Sequence, residues 1–434
     1  MSLSPEVIEE LKSEWLSELP SSWRFARFGD VLHIKRRPIE MEDHVEYIQP
    51  VIRRGHGGIE IRERQLGACI KTKAQFLVHA GDWLMSKVQI LHRAYGVVPP
   101  ELNKAIASSS YYAFEIQKDL DHKFLWYLSH ANAFHKSCEL ASVGVVIEKM
   151  VFRATDWLDF EFPLPPLHEQ RRIAEILSSV DEAIAATRAV VQQTRKVKQG
   201  ALERLLTKGI GHTRFKQTEI GEIPEGWEVV NLFDALREPV RNGYSPVSPP
   251  SPTGGWLLSL GSLSNDGLTG ENLKPAPLDD PRMGAARLSY GDVLISRSNT
   301  PDRVGMVGIY KGQPSNCFFP DLMICLRFRE SLINADFGAL WLRHLQATGY
   351  FKRAAAGTSA SMVKINRGLL SQIRIAVPSI GEQKTIVNKI NDIQLTIAAL
   401  EDQLRAAVSM RVTLMSDLLT GRKRVTDALP MAAE

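Results

Sequence analysis

The residues of this 434-residue chain best suited to recognition chemistry are arginines, lysines and asparagines, gathered in short clusters where loops are predicted. The first half carries Lys35, Arg36 and Arg37, then Arg53, Arg54 and His56 in a glycine-rich stretch, then His92-Arg93. The second half carries Arg241 and Asn242, then Arg297 and Asn299, then Arg303. A guanidinium fork can donate two parallel hydrogen bonds to a guanine edge, and a carboxamide can donate to and accept from an adenine edge. Lysine acts mainly as a point charge that positions phosphates. Any one of these side chains would serve equally as a solvated surface charge. The recurrence of the pattern in both halves therefore carries more weight than any single residue.

The sequence offers no catalytic or metal centre to set beside these clusters. It contains no G-x-x-x-x-G-K-[ST] phosphate loop and no G-x-G-x-x-G turn after a strand. It also lacks the Asn-Pro-Pro-Tyr/Phe string of an amino-methyltransferase; Pro249-Pro250 lies in a Ser/Pro-rich loop at 245–253. His168 is replaced by Gly381 at the equivalent place of the second half, which argues against a shared catalytic histidine. Glu169-Gln170 does recur as Glu382-Gln383, and at the first turn of a helix such a pair is expected to cap orphan amides and complement the dipole. The four cysteines form no CxxC pair or zinc spacing, as expected of free thiols in a reducing cytosol. The net charge of +4 is only a mild bias towards polyanions. No apolar run approaches the length of a membrane span, and the N-terminus lacks a secretion signal, so a cytoplasmic protein is expected.

The elements that position the clusters emerge from an internal repeat. Leu167-His-Glu-Gln-Arg-Arg-Ile173 is echoed by Ile380-Gly-Glu-Gln-Lys-Thr-Ile386, a shift of 213 residues, and Leu205-Leu206-Thr207 returns at the same shift as Leu418-Leu419-Thr420. Leu19-Pro-Ser-Ser-Trp23 matches Ile223-Pro-Glu-Gly-Trp227. Gly81-Asp-Trp-Leu-Met-Ser-Lys87 matches Gly291-Asp-Val-Leu-Ile-Ser-Arg297, and Phe124-Leu-Trp-Tyr-Leu128 resembles Ala339-Leu-Trp-Leu-Arg343. The order is the same in both halves, so the chain is a duplication. The segments 22–167 and 223–380 mix short strand-like runs (Tyr47–Ile52, Trp256–Leu260, Val304–Tyr310) with helical stretches near 122–138 and 335–353, an α+β pattern.

Each half ends in about forty residues without proline. Ile173, Leu177, Val180, Ile184, Thr187, Val191, Thr194, Ala201 and Leu205 step by fours and threes, the spacing of a coiled-coil seam. Ile386, Ile390, Ile393, Ile397, Leu400, Leu404, Ala407, Leu414 and Leu418 repeat it 213 residues later. The skipped slot is basic in both copies, Lys198 and Arg411. It either fixes the register or marks where the partner helix changes, or its stem snorkels at a frayed end. Gly209 and Gly421 sit where left-handed caps would stop the helices. A 60 Å helix with such a seam either lies on its own domain or pairs with the other copy, which the sustained heptad favours. Antiparallel pairing follows if the halves are related by a pseudo-two-fold axis.

The Pro-x-x-Trp lead-ins, the Gly-Asp-x-Leu-x-Ser strands and the Glu-Gln helix starts together resemble the specificity subunit of type I restriction–modification systems, over nearly the whole chain. The resemblance implies an α+β fold of two mixed α/β target-recognition domains alternating with two long helices, paired as an antiparallel coiled coil with pseudo-two-fold symmetry. The segments would be an N-terminal helical leader (1–21), domain 1 (22–167), helix 1 (168–210), domain 2 (211–377), helix 2 (378–422) and a tail (423–434). It implies that each domain reads one half of a bipartite, asymmetric site on double-stranded DNA, and that the coiled coil sets the spacer and docks two modification subunits. Half-sites about one helical turn apart would face the same side of the duplex. The resemblance assigns catalysis elsewhere: this chain binds no cofactor, modification subunits carry S-adenosylmethionine, and restriction subunits use ATP and Mg. Two departures are Pro20-Ser-Ser-Trp23 in place of Pro-x-Gly-Trp, and the unusual Val88–His92 after the first Gly-Asp strand. The competing functional class is a coiled-coil scaffold that recruits protein partners without reading DNA.

Overall fold

The computed structural model describes Trp15 and residues 19–146, 150–359 and 362–425. Most of the expected leader and all but the first residues of the tail thus lie outside the described residues. The chain divides into two compact units that cut across the linear order of domains. One comprises residues up to Arg188 together with those from Asp402 onward, and the other spans Ala189–Glu401. Each unit therefore holds one recognition domain, half of the first long helix (Leu167–Lys208) and half of the second (Ile380–Thr420).

Within each unit the domain is closed by its own ends. In the first, Arg24–Arg27 pairs antiparallel with Glu161–Leu164; in the second, Glu228–Asn231 pairs with Arg374–Val377. Each domain then builds a four-stranded antiparallel sheet with the same spatial order. The first runs Leu32–Ile34, Tyr111–Ile116, Trp83–Ser86, Tyr95–Val97, and the second Arg241–Asn242, Met323–Leu326, Val293–Ser296, Val307–Ile309. The strand of the Gly-Asp-x-Leu-x-Ser motif is buried along its whole length in both. Successive side chains of a strand point to opposite faces, so this strand serves two cores. Trp83 and Met85 enter one hydrophobic cluster and Leu84 another; Val293 and Ile295 are likewise separated from Leu294. That double burial explains why the motif is apolar without alternation. The glycines before it, Gly81 and Gly291, have φ of 90° and 87°, a left-handed turn that glycine adopts without strain.

The helical stretches fall at His122–Leu128, Asn132–Leu140, Ala335–Ala347 and Tyr350–Ala354, as the sequence suggests. Trp256–Leu260 differs. Only Trp256–Leu257 is extended, because the Ser259 hydroxyl accepts from Gly261 N at 3.2 Å and starts a 3-10 turn at Leu260–Ser262.

Burial along the two long helices follows the heptad positions. Ile173, Leu177, Ile184, Val191, Ile386, Ile390, Ile397 and Leu418 are buried, and Val180, Leu205, Ile393, Leu400, Leu404 and Leu414 are half-buried. Off-seam Val190, Val197 and Leu395 stand exposed. In each unit the two helix halves run antiparallel, and the basic slot decides their register. Lys198 donates to the Gln394 side chain in one unit, and Arg411 pairs with Asp181 in the other. These are the same pair displaced by the repeat, so the slot is a register pin and not a frayed end.

The recurrent Glu-Gln pair does not cap the helix amides, as the sequence suggested. The Glu169 carboxylate accepts from Trp23 Nε1 at 2.9 Å and Ser22 Oγ at 3.1 Å, and pairs with Arg424. Glu382 accepts from Trp227 Nε1 at 3.0 Å, Ile210 N at 2.9 Å and His212. Gln170 and Gln383 are fully buried, and each amide bonds three backbone groups. Gln170 accepts from Asp121 N and donates to Asp119 O and Pro165 O; Gln383 accepts from Asn334 N and donates to Leu332 O and Pro378 O, all at 2.8–2.9 Å. The pair thus buckles each recognition domain to the start of its helix. The expected glycine caps are present, with φ of 63° at Gly209 and 80° at Gly421.

Candidate nucleic-acid interface

The sheet registers bring residues from the two halves into correspondence. In the first unit Ala113 lies opposite Leu84 and accepts a hydrogen bond from Lys35 N at 2.9 Å. In the second, Cys325 lies opposite both Leu294 and Arg241. Lys35 and Arg36 therefore occupy the places of Arg241 and Asn242. One residue beyond the central strand, Lys87 matches Arg297, and both backbones are held alike. Lys87 N donates to Ser110 O and its carbonyl accepts from Phe152 N, each at 2.9 Å. Arg297 N donates to Leu322 O and its carbonyl accepts from Ile365 N, each at 2.8 Å.

At the opposite end of that strand, the motif aspartate takes an arginine in both domains. Asp82 takes both arms of Arg37, at 2.6 and 3.2 Å, while accepting from His79 N. Asp292 takes Arg327 through two nitrogens at 2.7 and 2.8 Å while accepting from Ser289 N. The arginines follow different strands, Leu32–Ile34 and Met323–Leu326, yet the bidentate pairing is the same.

Three of the residues expected to read DNA have their polar atoms engaged within the fold. Arg37 has its fork on Asp82. Asn299, 7% exposed, donates to Ser296 Oγ and accepts from Thr300 N. His56, with φ of 59°, stacks on His130 at 3.8 Å between ring centroids, and its Nε2 lies 3.2 Å from Ser129 O and 3.3 Å from Tyr95 Oη. Burial, and then the neighbouring His130, hold its pKa down to about 4, so it is neutral at pH 7.

The remaining candidates fall into groups. In the first unit Lys35 pairs with Glu115 at 2.9 Å, and Arg36 has no acidic partner among the described residues. At the tip of the hairpin Glu46–Ile52/Ile59–Leu66, Arg53 pairs with Glu60 and Arg54 reaches Gln89 at 3.4 Å. Gly55 N to His92 O and His56 N to Arg93 O tie this tip to the turn that presents Arg93. In the second unit Asn242 is exposed, Arg241 lies 3.6 Å from Glu238, and Arg297 Nη1 donates to Asp321 O at 3.3 Å. Arg303 stands apart from these and bonds Leu263 O. The sequence reading missed Lys87. The signal was present, since Lys87 closes the same motif that Arg297 closes. No group of histidine, cysteine or acidic residues able to hold a metal ion occurs among the described residues. No helix among them is long and apolar enough to cross a membrane.

Two register-matched domains, each buckled to a helix of a heptad pair and presenting polar and basic strand ends, define a duplicated, helix-linked recognition protein. A family model described as "Type I restriction modification DNA specificity domain" matches residues 20–193 and 281–410. The chain is 26% identical over 426 residues, 94% of either chain, to the type I restriction enzyme MjaVIII specificity subunit of Methanocaldococcus jannaschii. It is 24% identical over 438 residues to the putative MjaX specificity subunit of the same organism, covering 96% of this chain and 97% of the relative. Among solved structures it resembles the HsdS subunit from Thermoanaerobacter tengcongensis, with 20% identity, a TM-score of 0.55, and 95% and 100% of the two chains covered. It also resembles a chain from a structure described as "Structural basis underlying complex assembly and conformational transition of the type I R-M system", with 18% identity, a TM-score of 0.63, and 94% and 100% covered. The chain belongs to the family of type I restriction–modification specificity subunits, with two target-recognition domains.

Proposed function

We propose that each recognition domain reads one half of a bipartite, asymmetric double-stranded DNA site, and that the paired helices set the unread gap and dock two modification subunits. The single observation that carries this reading is a shared frame holding different chemistry. At matched register the first domain offers Lys35, Arg36 and Lys87, and the second Arg241, Asn242 and Arg297. A matched frame places both domains alike on a duplex, and unlike side chains at the strand ends meet that duplex differently in the two halves. Chemistry on the DNA belongs to partners in the cytoplasm: adenine methylation from S-adenosylmethionine in the modification subunits, and cleavage dependent on ATP and Mg in restriction subunits. This chain contributes address and distance.

Exchange of residues 211–377 for the same region of a relative tests the reading. Methylated sites mapped in cells carrying the modification subunit should change in one half-site only, with the gap and the other half kept. Alteration of both halves would contradict independent readers, and unaltered sites would favour a scaffold that does not read DNA.

A further inference from the structure

We propose that Lys87 and Arg36 form a phosphate-gripping pair in the first recognition domain, a DNA contact at the position that Arg297 and Asn242 hold in the second. The inference rests on the DNA-reading function proposed above. Of the run Lys35-Arg36-Arg37, the outer two are neutralised within the fold, Lys35 by Glu115 and Arg37 by Asp82. The middle one is not. Neither Arg36 nor Lys87 has an acidic partner among the described residues, and the strand register brings them together: Lys35 N bonds Ala113 O, which sets Arg36 on the side of Tyr112, the residue paired with Met85 two before Lys87. Burial, and then Arg36, lower the Lys87 pKa accordingly. Lys87 Nζ rests 4.3 Å from the centroid of the Tyr112 ring, which holds the ammonium without neutralising it.

Two cations side by side repel, and the described residues place no anion between them. An incoming phosphate removes that repulsion. The backbone of Lys87 is fixed on both sides by hydrogen bonds to Ser110 O and Phe152 N, so its chain position is set before binding. A lysine ammonium is a compact point charge without arginine's planar fork, which suits it to the phosphate backbone of the duplex. Arg297, with one arm on Asp321 O, keeps the rest of its fork free at the matched position.

The test uses the full chain bound to its modification subunit. Two duplexes of equal length are titrated over a range of salt, one bearing the mapped target and one scrambled. Each phosphate contact contributes about 0.9 to the slope of log K against log salt, which is about fivefold in affinity at 0.15 M. Lys87→Gln should lower the slope by about 0.9 on both duplexes and leave the methylated motif unchanged, and Lys87→Arg should restore the slope. Arg36→Gln, at an exposed side chain, carries the same test should the Lys87 variant fail to fold. An unchanged slope in a variant that melts like the wild type overturns the proposal. So does a loss confined to the target duplex with a relaxed half-site, which would mark a base contact. Wild-type protein that binds neither duplex overturns the DNA-reading function itself, a result distinct from either.

Discussion

Replacing Gln383 by glutamate exchanges one amide nitrogen for an oxygen at the joint between the second recognition domain and its helix. The side chain is 0% exposed, and its amide nitrogen donates to Leu332 O and Pro378 O at 2.9 Å, while its oxygen accepts from Asn334 N at 2.8 Å. A carboxylate keeps the acceptor and loses both donors. Two buried carbonyls are left unpaired, each costing about 1–3 kcal/mol, so the expected loss is about 4 kcal/mol at pH 7. The new carboxyl faces two carbonyl oxygens, which raises its folded pKa above the unfolded value. Stability should therefore return partly as pH falls, because the protonated acid can donate one bond. Urea unfolding of the full chain, with hydrogen exchange read on peptides covering 328–342 and 378–390, measures both effects. Gln170→Glu should reproduce them in the first unit, where the same three bonds exist. A loss below about 1 kcal/mol, or a loss independent of pH, would refute the buckle.

Arg37→Met should lower the melting temperature, since breaking the bidentate pair leaves Asp82, only 5% exposed at its side chain, without its partner, at a cost of about 3 kcal/mol. It should leave the salt slope of DNA binding unchanged, and a reduced slope would return Arg37 to the contact surface. His56 titrates at about 4 in the folded chain against an ordinary value of 6.5. The unfolded state therefore binds the proton first, and stability is lost as pH falls from about 6.5 to about 4. With screening at a partly exposed ring the loss is about 1–2 kcal/mol. Thermal melting across that range with an NMR titration of His56 checks it, and a His56 midpoint near 6.5 would contradict the burial.

Much of this architecture is legible in the sequence because it rests on periodic apolar burial. The seam positions from Ile173 to Leu205 and from Ile386 to Leu418 are buried or half-buried at the spacing of the heptad. The division into units is less legible. A linear reading separates domain from helix, whereas antiparallel pairing puts the end of one helix in the same unit as the start of the other. Side-chain roles were the least legible. Arg37, His56 and Asn299 look like surface readers by residue type, and their fate depended on Asp82, His130 and Ser296, which approach only through sheet pairing and loop closure. Glu169 and Gln170 misled in the same way. Their place at a helix start suggested caps, but Trp23 and the backbone near Asp121 reach them from over 45 residues away in the chain. Lys87 differs from these, because the repeat already aligns it with Arg297 at the end of the Gly-Asp motif, and the strand registers agree with that alignment.

The central claim is that the helices set the distance between two independently read half-sites. Removing one heptad from each helix at the same repeat position, 187–193 and 400–406, shortens the pair by about 10 Å at 1.5 Å per residue. That is on the order of three base pairs at about 3.4 Å each. Mapping the methylated sites of cells that carry this variant with its modification subunit should show both half-sites unchanged and the gap between them shortened. An unchanged gap with an altered half-site would contradict the account.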